Sequence, residues 1–292
     1  MSNLIKMVQG KERNILGLLT RPDGSQTKDI KETLEHLFET HFPESTPLDF
    51  TRAQHQARLR KDPDCHRHQV VSTEIQEVVT PTLVIKALHM FGNNKAAGVD
   101  KLKPIVFKNL TLMGINILTG IYRASLATGY MPRAWLENRV IFIPKPGKDD
   151  YTKAKSFRPI SLAPFLLKGL ERITMWYLSE RIMPDNPLSQ WQHGFVSDKS
   201  TETAIITTTD LIEKAILRDE YAVCVFLDIA GAFDNLRPEK AKLAMRNHNL
   251  PPWYIRWYGK YLDKRYAIST LRHLDVQRSK GGQRGRFHRM KQ

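Results

Sequence analysis

Apolar residues return every three or four positions at Ile30, Leu34, Leu37 and Phe38, which predicts an amphipathic helix over residues 30–40. Thr80-Pro81 joins a hydroxyl cap to a proline at the first helical position, and Leu83, Val84, Ala87, Leu88 and Phe91 follow on one face as far as Gly92. Residues 104–128 read as helical and break at Gly129. Arg139-Val-Ile-Phe-Ile143 has the β-branched and aromatic content of a strand and stops at Pro144, and Ser156-Phe-Arg-Pro-Ile-Ser-Leu162 is a second extended piece, because Pro159 disfavours helix at Arg158. Together they predict a hairpin. Residues 164–183 form an apolar-rich helix with Leu166, Leu167, Leu170, Ile173, Trp176 and Tyr177 as core, and Ser200 caps a further helix to about Leu217. Tyr221-Ala-Val-Cys-Val-Phe-Leu227 is an unbroken apolar run, the pattern of a strand covered on both faces, and it ends in Asp228. A helix opens near Pro238.

Composition narrows the class. The 292 residues carry 45 Lys+Arg against 30 Asp+Glu, a formal charge of +15, with 41% hydrophobic residues and two cysteines. Collagen-like, disulfide-stapled and wholly disordered chains are excluded. Cys65 and Cys224 make no disulfide framework and point to a reducing compartment; the cellular address stays open, with nucleus and cytoplasm both compatible. The N-terminal ten residues place Lys6 inside a short apolar run and do not read as a signal peptide. The longest charge-free apolar stretch, residues 109–122, is shorter than a membrane span. The expectation is a soluble protein with no membrane partner and no strong oligomer signal. Its positive surplus favours nucleic acid over an anionic membrane surface.

Candidate chemistry is sparse. Cys65-His-Arg-His68 lacks the spacing of a zinc site, Gly147-Lys148 lacks that of a P-loop, and neither G-x-G-x-x-G after a strand nor G-x-S-x-G occurs. His193 reads as structural. Lys95 and Asp100 bracket a glycine-bearing loop that suits either a phosphate-facing turn or an ordinary surface turn. Lys145 and Arg158, on the two arms of the hairpin, either face a common anion or are simply exposed cations. Asp228, followed by Ile229-Ala-Gly-Ala-Phe-Asp234, either holds a metal against a phosphate or ends a strand before a capped helix. Trp253, Tyr254, Trp257, Tyr258 and Tyr261 lie at helical spacings, as core or as a platform for bases.

Five segments in order carry a resemblance: Asn94-Lys-Ala-Ala-Gly-Val-Asp100; Ile141-Phe-Ile-Pro-Lys-Pro-Gly-Lys148; Phe157-Arg-Pro-Ile-Ser-Leu162; Gln192-His-Gly-Phe195 with Ser200-Thr201; and Phe226-Leu-Asp-Ile-Ala-Gly-Ala-Phe-Asp234. The set resembles the reverse transcriptase (RNA-directed DNA polymerase) of non-LTR, LINE-type retrotransposons, in the jockey-like branch, over residues 15–270. The resemblance implies an α+β fold, a partial right-hand polymerase with fingers and the first part of the palm. It implies that Asp228 is the catalytic, metal-binding carboxylate, with the Ile229 backbone carbonyl as a further ligand for Mg²⁺. Lys145 and Arg158 would grip the triphosphate, amides of Ala230, Gly231 and Ala232 would line it, and Phe233 would sit under the sugar. Asp234, Lys95 and Asp100 carry no settled role. The implied partners are an RNA template, a DNA primer and a dNTP.

The departures are as specific. The family's Gln-Gly-rich segment and its aromatic-Ala-Asp-Asp hairpin are absent, and Asp149-Asp150 has the wrong neighbours. Asp100 is followed by Lys101-Leu102 without the usual glycine. The expectation is a truncated or frame-shifted copy, with the palm catalytic hairpin and thumb missing. The chain would divide into a helical arm (1–70), fingers with the start of the palm (71–220), a palm segment (221–270) and a basic, disordered or frame-shifted tail (271–292). One carboxylate cannot hold the ion pair of two-metal phosphoryl transfer, so the chain alone is expected not to polymerise, and its unpaired palm strand to aggregate. The competing reading is a non-catalytic, basic nucleic-acid-binding protein.

Overall fold

The computed structural model describes residues 16–42, 73–229, 237–271 and 274–280. Asp29 accepts from the Glu32 amide and starts α1 (Ile30–His41), whose Leu34, Leu37 and Phe38 are fully buried, as the spacing predicts. After α2 (Thr73–Val78), Thr80 accepts from the Leu83 amide and opens α3 (Pro81–His89). The helical stretch after residue 104 is divided, because Thr111 caps a new start at the Gly114 amide; it gives α4 (Pro104–Lys108) and α5 (Leu112–Thr128). Gly129, at φ 65°, ends α5 in the left-handed region that glycine tolerates.

A short turn of helix, α6 (Arg133–Leu136), leads into β1 (Glu137–Pro144), and β2 (Phe157–Leu162) returns antiparallel, pairing Ile143 with Arg158 and Pro144 with Phe157. The predicted hairpin is therefore present. Next come α7 (Phe165–Tyr177), with a π turn at Leu178–Ile182, and α8 (Thr201–Leu217), begun by a reciprocal capping box between Ser200 and Thr203. The last elements are α9 (Pro238–Asn247), α10 (Pro252–Asp263), β3 (Arg265–Leu271) and β4 (Leu274–Lys280). The sheet runs β2-β1-β3-β4, with β1 and β3 parallel and β3 and β4 antiparallel.

Two cores result. The larger is helical and joins α3, α5, α7 and α10 around Leu88, Tyr122, Leu167, Leu170, Ile173 and Trp257. The smaller lies between α1 and the hairpin, where Val140, Phe142 and Phe157 meet Leu19, Leu34, Leu37 and Phe38, and the Phe38 and Phe142 rings meet edge to face at 5.3 Å. The N-terminal arm is thus part of the hairpin's core.

One expectation fails. The apolar run 221–227 is neither strand nor buried: Tyr221 is 100% exposed and Leu227 90%. The sheet β2-β1-β3-β4 does not include this run, so among the described residues neither pairing nor a packed layer covers its apolar side chains. Within the segment expected to be a basic, disordered or frame-shifted tail (271–292), β4 pairs antiparallel with β3 from Arg265↔Lys280 to Leu271↔Leu274, and residues 281–292 lie outside the described residues. Among the described residues no helix is long and apolar enough to cross a membrane.

Candidate active site

The hairpin sets its cations by register. The Lys145 amide donates to the Ser156 carbonyl at 2.8 Å, so Lys145 stands opposite Ser156 just as Ile143 stands opposite Arg158. Side chains two apart on a strand share a face, which puts Lys145 and Arg158 on the same one, opposite the face that Phe142 and Phe157 bury. Arg158 is exposed. The Lys145 ammonium donates to the Lys155 carbonyl at 2.7 Å.

The turn between the strands is built rather than loose. Asp150 accepts from the Thr152 amide at 2.8 Å and the Thr152 hydroxyl at 2.6 Å, and these bonds, the hydroxyl first, hold its carboxyl below the usual range. Asp149-Asp150 is accordingly a turn element, not a metal pair. The Thr20 amide donates to the Thr152 carbonyl at 2.8 Å, and His41 Nε2 lies 3.0 Å from the Ala154 carbonyl. Sequence reading missed this support from the arm, because a backbone amide and a single imidazole leave no local pattern.

At the far end of β2 the Lys95–Asp100 loop closes on the sheet. A Cβ at Gly98 would lie 3.0 Å from the Pro164 nitrogen and 3.2 Å from the Leu162 oxygen, so the loop backbone sits tightly against the end of β2. Asp100 accepts from the Leu102 amide, and its charge reaches Lys168 on α7, where it opposes the burial that lowers the lysine's pKa. Lys95 is exposed and folds its aliphatic chain over Gly92.

Asp228 and Ile229 lie on the exposed, unpaired segment, outside the sheet that carries Lys145 and Arg158. Ala230, Gly231, Ala232, Phe233 and Asp234 fall outside the described residues, as does Cys65-His-Arg-His68. Among the described residues no three His, Cys, Asp or Glu side chains come together as a metal would require. A single exposed carboxylate therefore does not by itself fit a metal pair. His193 Nδ1 lies 2.8 Å from the Thr203 hydroxyl beside the α8 cap, a structural position.

The aromatic cluster is core. Trp257 is fully buried with its indole N–H donating to Ser125 Oγ at 3.0 Å, and the Tyr254 and Tyr258 rings stack at 5.6 Å. Burial of each large ring contributes about 1.5–3 kcal/mol, a gain that exposure as a base platform would forfeit.

The reverse transcriptase (RNA-dependent DNA polymerase) family matches residues 143–292, just over half of the chain. The chain belongs to the reverse transcriptase family. Its similarity to individual members is modest: 32% identity over 200 residues, 67% of this chain and 21% of the relative, to a probable RNA-directed DNA polymerase from transposon BS of Drosophila melanogaster. The RNA-directed DNA polymerase from mobile element jockey of the same species is 33% identical over 49% of the chain and 15% of its own length. The jockey enzyme of Drosophila funebris is 28% identical over 77% of the chain and 23% of its own length. The chain thus spans about a fifth of the length of the curated relatives it matches. It is a reverse transcriptase domain of the non-LTR type, a mixed α/β unit with a small sheet. Reverse transcriptases in general use nucleic-acid substrates and a divalent metal.

Proposed function

We propose that this chain supplies the fingers and the first part of the palm of a right-hand polymerase whose reaction is RNA-templated DNA synthesis. The arm is residues 1–70, the fingers with the start of the palm 71–220, and the palm segment 221–270. The observation that carries the reading is the hairpin register, which sets Lys145 and Arg158 on one open face with a rigid turn beside them. Two cations so placed suit the triphosphate of a dNTP, Arg158 through a planar fork that matches phosphate oxygens. At Gly98 a second loop packs closely against the end of the same strand.

Asp228, with the Ile229 carbonyl, would supply only part of a Mg²⁺ site, and Ala230, Gly231, Ala232 and Phe233 would serve the phosphates and sugar of the nucleotide. The 292 residues hold no aromatic-Ala-Asp-Asp sequence, and the described carboxylates do not gather into a metal cluster. The polypeptide by itself therefore does not extend a primer, because groups that act as a unit lose far more than a proportional share when some are missing. A primer-extension assay on an RNA template with Mg²⁺ or Mn²⁺ checks this: no incorporation is expected, and incorporation abolished by Asp228→Ala would refute it.

A further inference from the structure

Helix α5 is apolar on every side. Its inner face, with Ile115, Leu118, Tyr122 and Leu126, belongs to the helical core, yet Leu112, Met113, Ile117 and Ile121 on the opposite face are between 45% and 73% exposed. A helix that is hydrophobic all round is ordinarily covered all round. The charge-free stretch 109–122 runs through this face. Arg123, the one charged residue of α5, turns away to donate to the Val79 and Gln76 carbonyls at 2.8 and 3.2 Å.

The face carries a ridge beside a groove. Met113, Ile117 and Ile121 follow one another at four-residue spacing as a row of large side chains, and the adjacent row, Asn116, Gly120 and Ala124, is exposed but low. A Cβ at Gly120 would meet nothing within 4 Å, so among the described residues nothing fills that row. Rows of this spacing on two helices run side by side when the helices cross at about −50°. A two-fold axis along the rows then seats each ridge in the other copy's groove: Met113 meets Asn116, Ile117 meets Gly120 and Ile121 meets Ala124, large against small at each step and in both directions. An antiparallel two-fold pair would set Ile117 on Ile117 instead.

Area and charge favour the same occupant. The four exposed apolar residues present on the order of 500 Å² per copy, so a pair buries about 1,000 Å², the size that separates a specific interface from an incidental contact. No charge on the face selects an acidic partner or an anionic membrane. Two copies of formal charge +15 meet there without opposing like charges.

We infer that the outer face of α5 is a self-complementary interface through which a second copy of this chain docks to form a two-fold dimer. The inference does not depend on the nucleotide face.

Sedimentation equilibrium of the full chain over a wide concentration range tests it, with circular dichroism as the check on folding. A monomer–dimer equilibrium is expected. Ile117→Glu, which buries a carboxylate beside the axis, is expected to weaken it about a hundredfold or more. Gly120→Leu fills the groove and is expected to weaken it about tenfold or more, while replacing the poorest helix former after proline at a position with room, so lost association there is not lost folding. Ile121→Glu and Ala124→Lys are each expected to weaken association and, mixed in equal amounts, to recover it, because the new carboxylate and ammonium face each other across the interface. A chain that is monomeric at every concentration overturns the inference. So does association that Gly120→Leu leaves unchanged, or a mixture that recovers nothing. Ile117→Glu that destabilises the chain at a concentration where parent and variant are both monomeric also overturns it, and assigns the cover of α5 to another part of the same chain.

Discussion

Glu171, on α7, sits among Lys168 on the same helix, Arg265 at the start of β3, and Tyr254, Tyr258 and Tyr261 of α10. Burial pushes its carboxyl up from 4.5 to about 7, and Lys168 and Arg265 pull it back only in part. Below pH 4.5 the side chain is protonated both folded and unfolded, and its contribution to stability is fully present. Between 4.5 and about 7 the unfolded chain releases the proton while the folded chain keeps it, so stability falls as pH rises; above about 7 the deficit is constant. At about 1.4 kcal/mol per pH unit the displacement corresponds to about 3 kcal/mol, or about 2–3 kcal/mol once the solvent reaching this partly buried side chain is allowed for. Glu171→Gln mimics the protonated acid at every pH. In urea unfolding followed by tryptophan fluorescence, the variant is expected to gain about 2–3 kcal/mol on the parent between a pH of about 4 and a pH of about 8. A difference between the two proteins that does not change with pH would refute the reasoning.

Other consequences are local. Gly98→Ala drives a methyl group into the Pro164 nitrogen and the Leu162 oxygen, which is expected to cost about 1–3 kcal/mol in the same unfolding assay; a neutral change would mean that the loop is not seated on β2. Cys224 is exposed within the apolar run, so its thiol is expected to react with a maleimide under native conditions nearly as fast as in denaturant. Strong protection would restore the buried strand that the apolar pattern predicts.

What the sequence discloses divides along physical lines. Local signals survive intact: the Thr80 and Ser200 caps, the strand pair around Pro144 and Arg158, and the amphipathic stripe of α1 are each decided within a few residues by hydrogen bonding and periodicity. The aromatic stripe of α10 resolves toward core because four of its five large rings, Trp253, Tyr254, Trp257 and Tyr261, are buried and Tyr258 packs against them. Non-local pairing is where the reading fails. An apolar run such as 221–227 asks for cover without saying what supplies it, and the parallel register of β1 on β3, Arg139 opposite Ile268, joins residues far apart in the chain with no local mark. The β4 strand was hidden for a related reason: basic composition argued against order, while pairing depends on backbone that composition does not describe. At the site, the motif residues Lys145, Arg158 and Gly98 were legible as types, but the arm contacts from Thr20 and His41 that steady their turn were not.

The central claim is that the hairpin face receives the triphosphate of a nucleotide. Calorimetric titration of a dNTP into the full chain tests it most directly, with Lys145→Ala, Arg158→Ala and inorganic tripolyphosphate as comparisons. Charge-assisted hydrogen bonds of about 1.5–3 kcal/mol predict affinity lowered about ten- to a hundredfold in each variant, with tripolyphosphate competing and the bare nucleoside not. Binding that is unchanged in both variants would contradict the account.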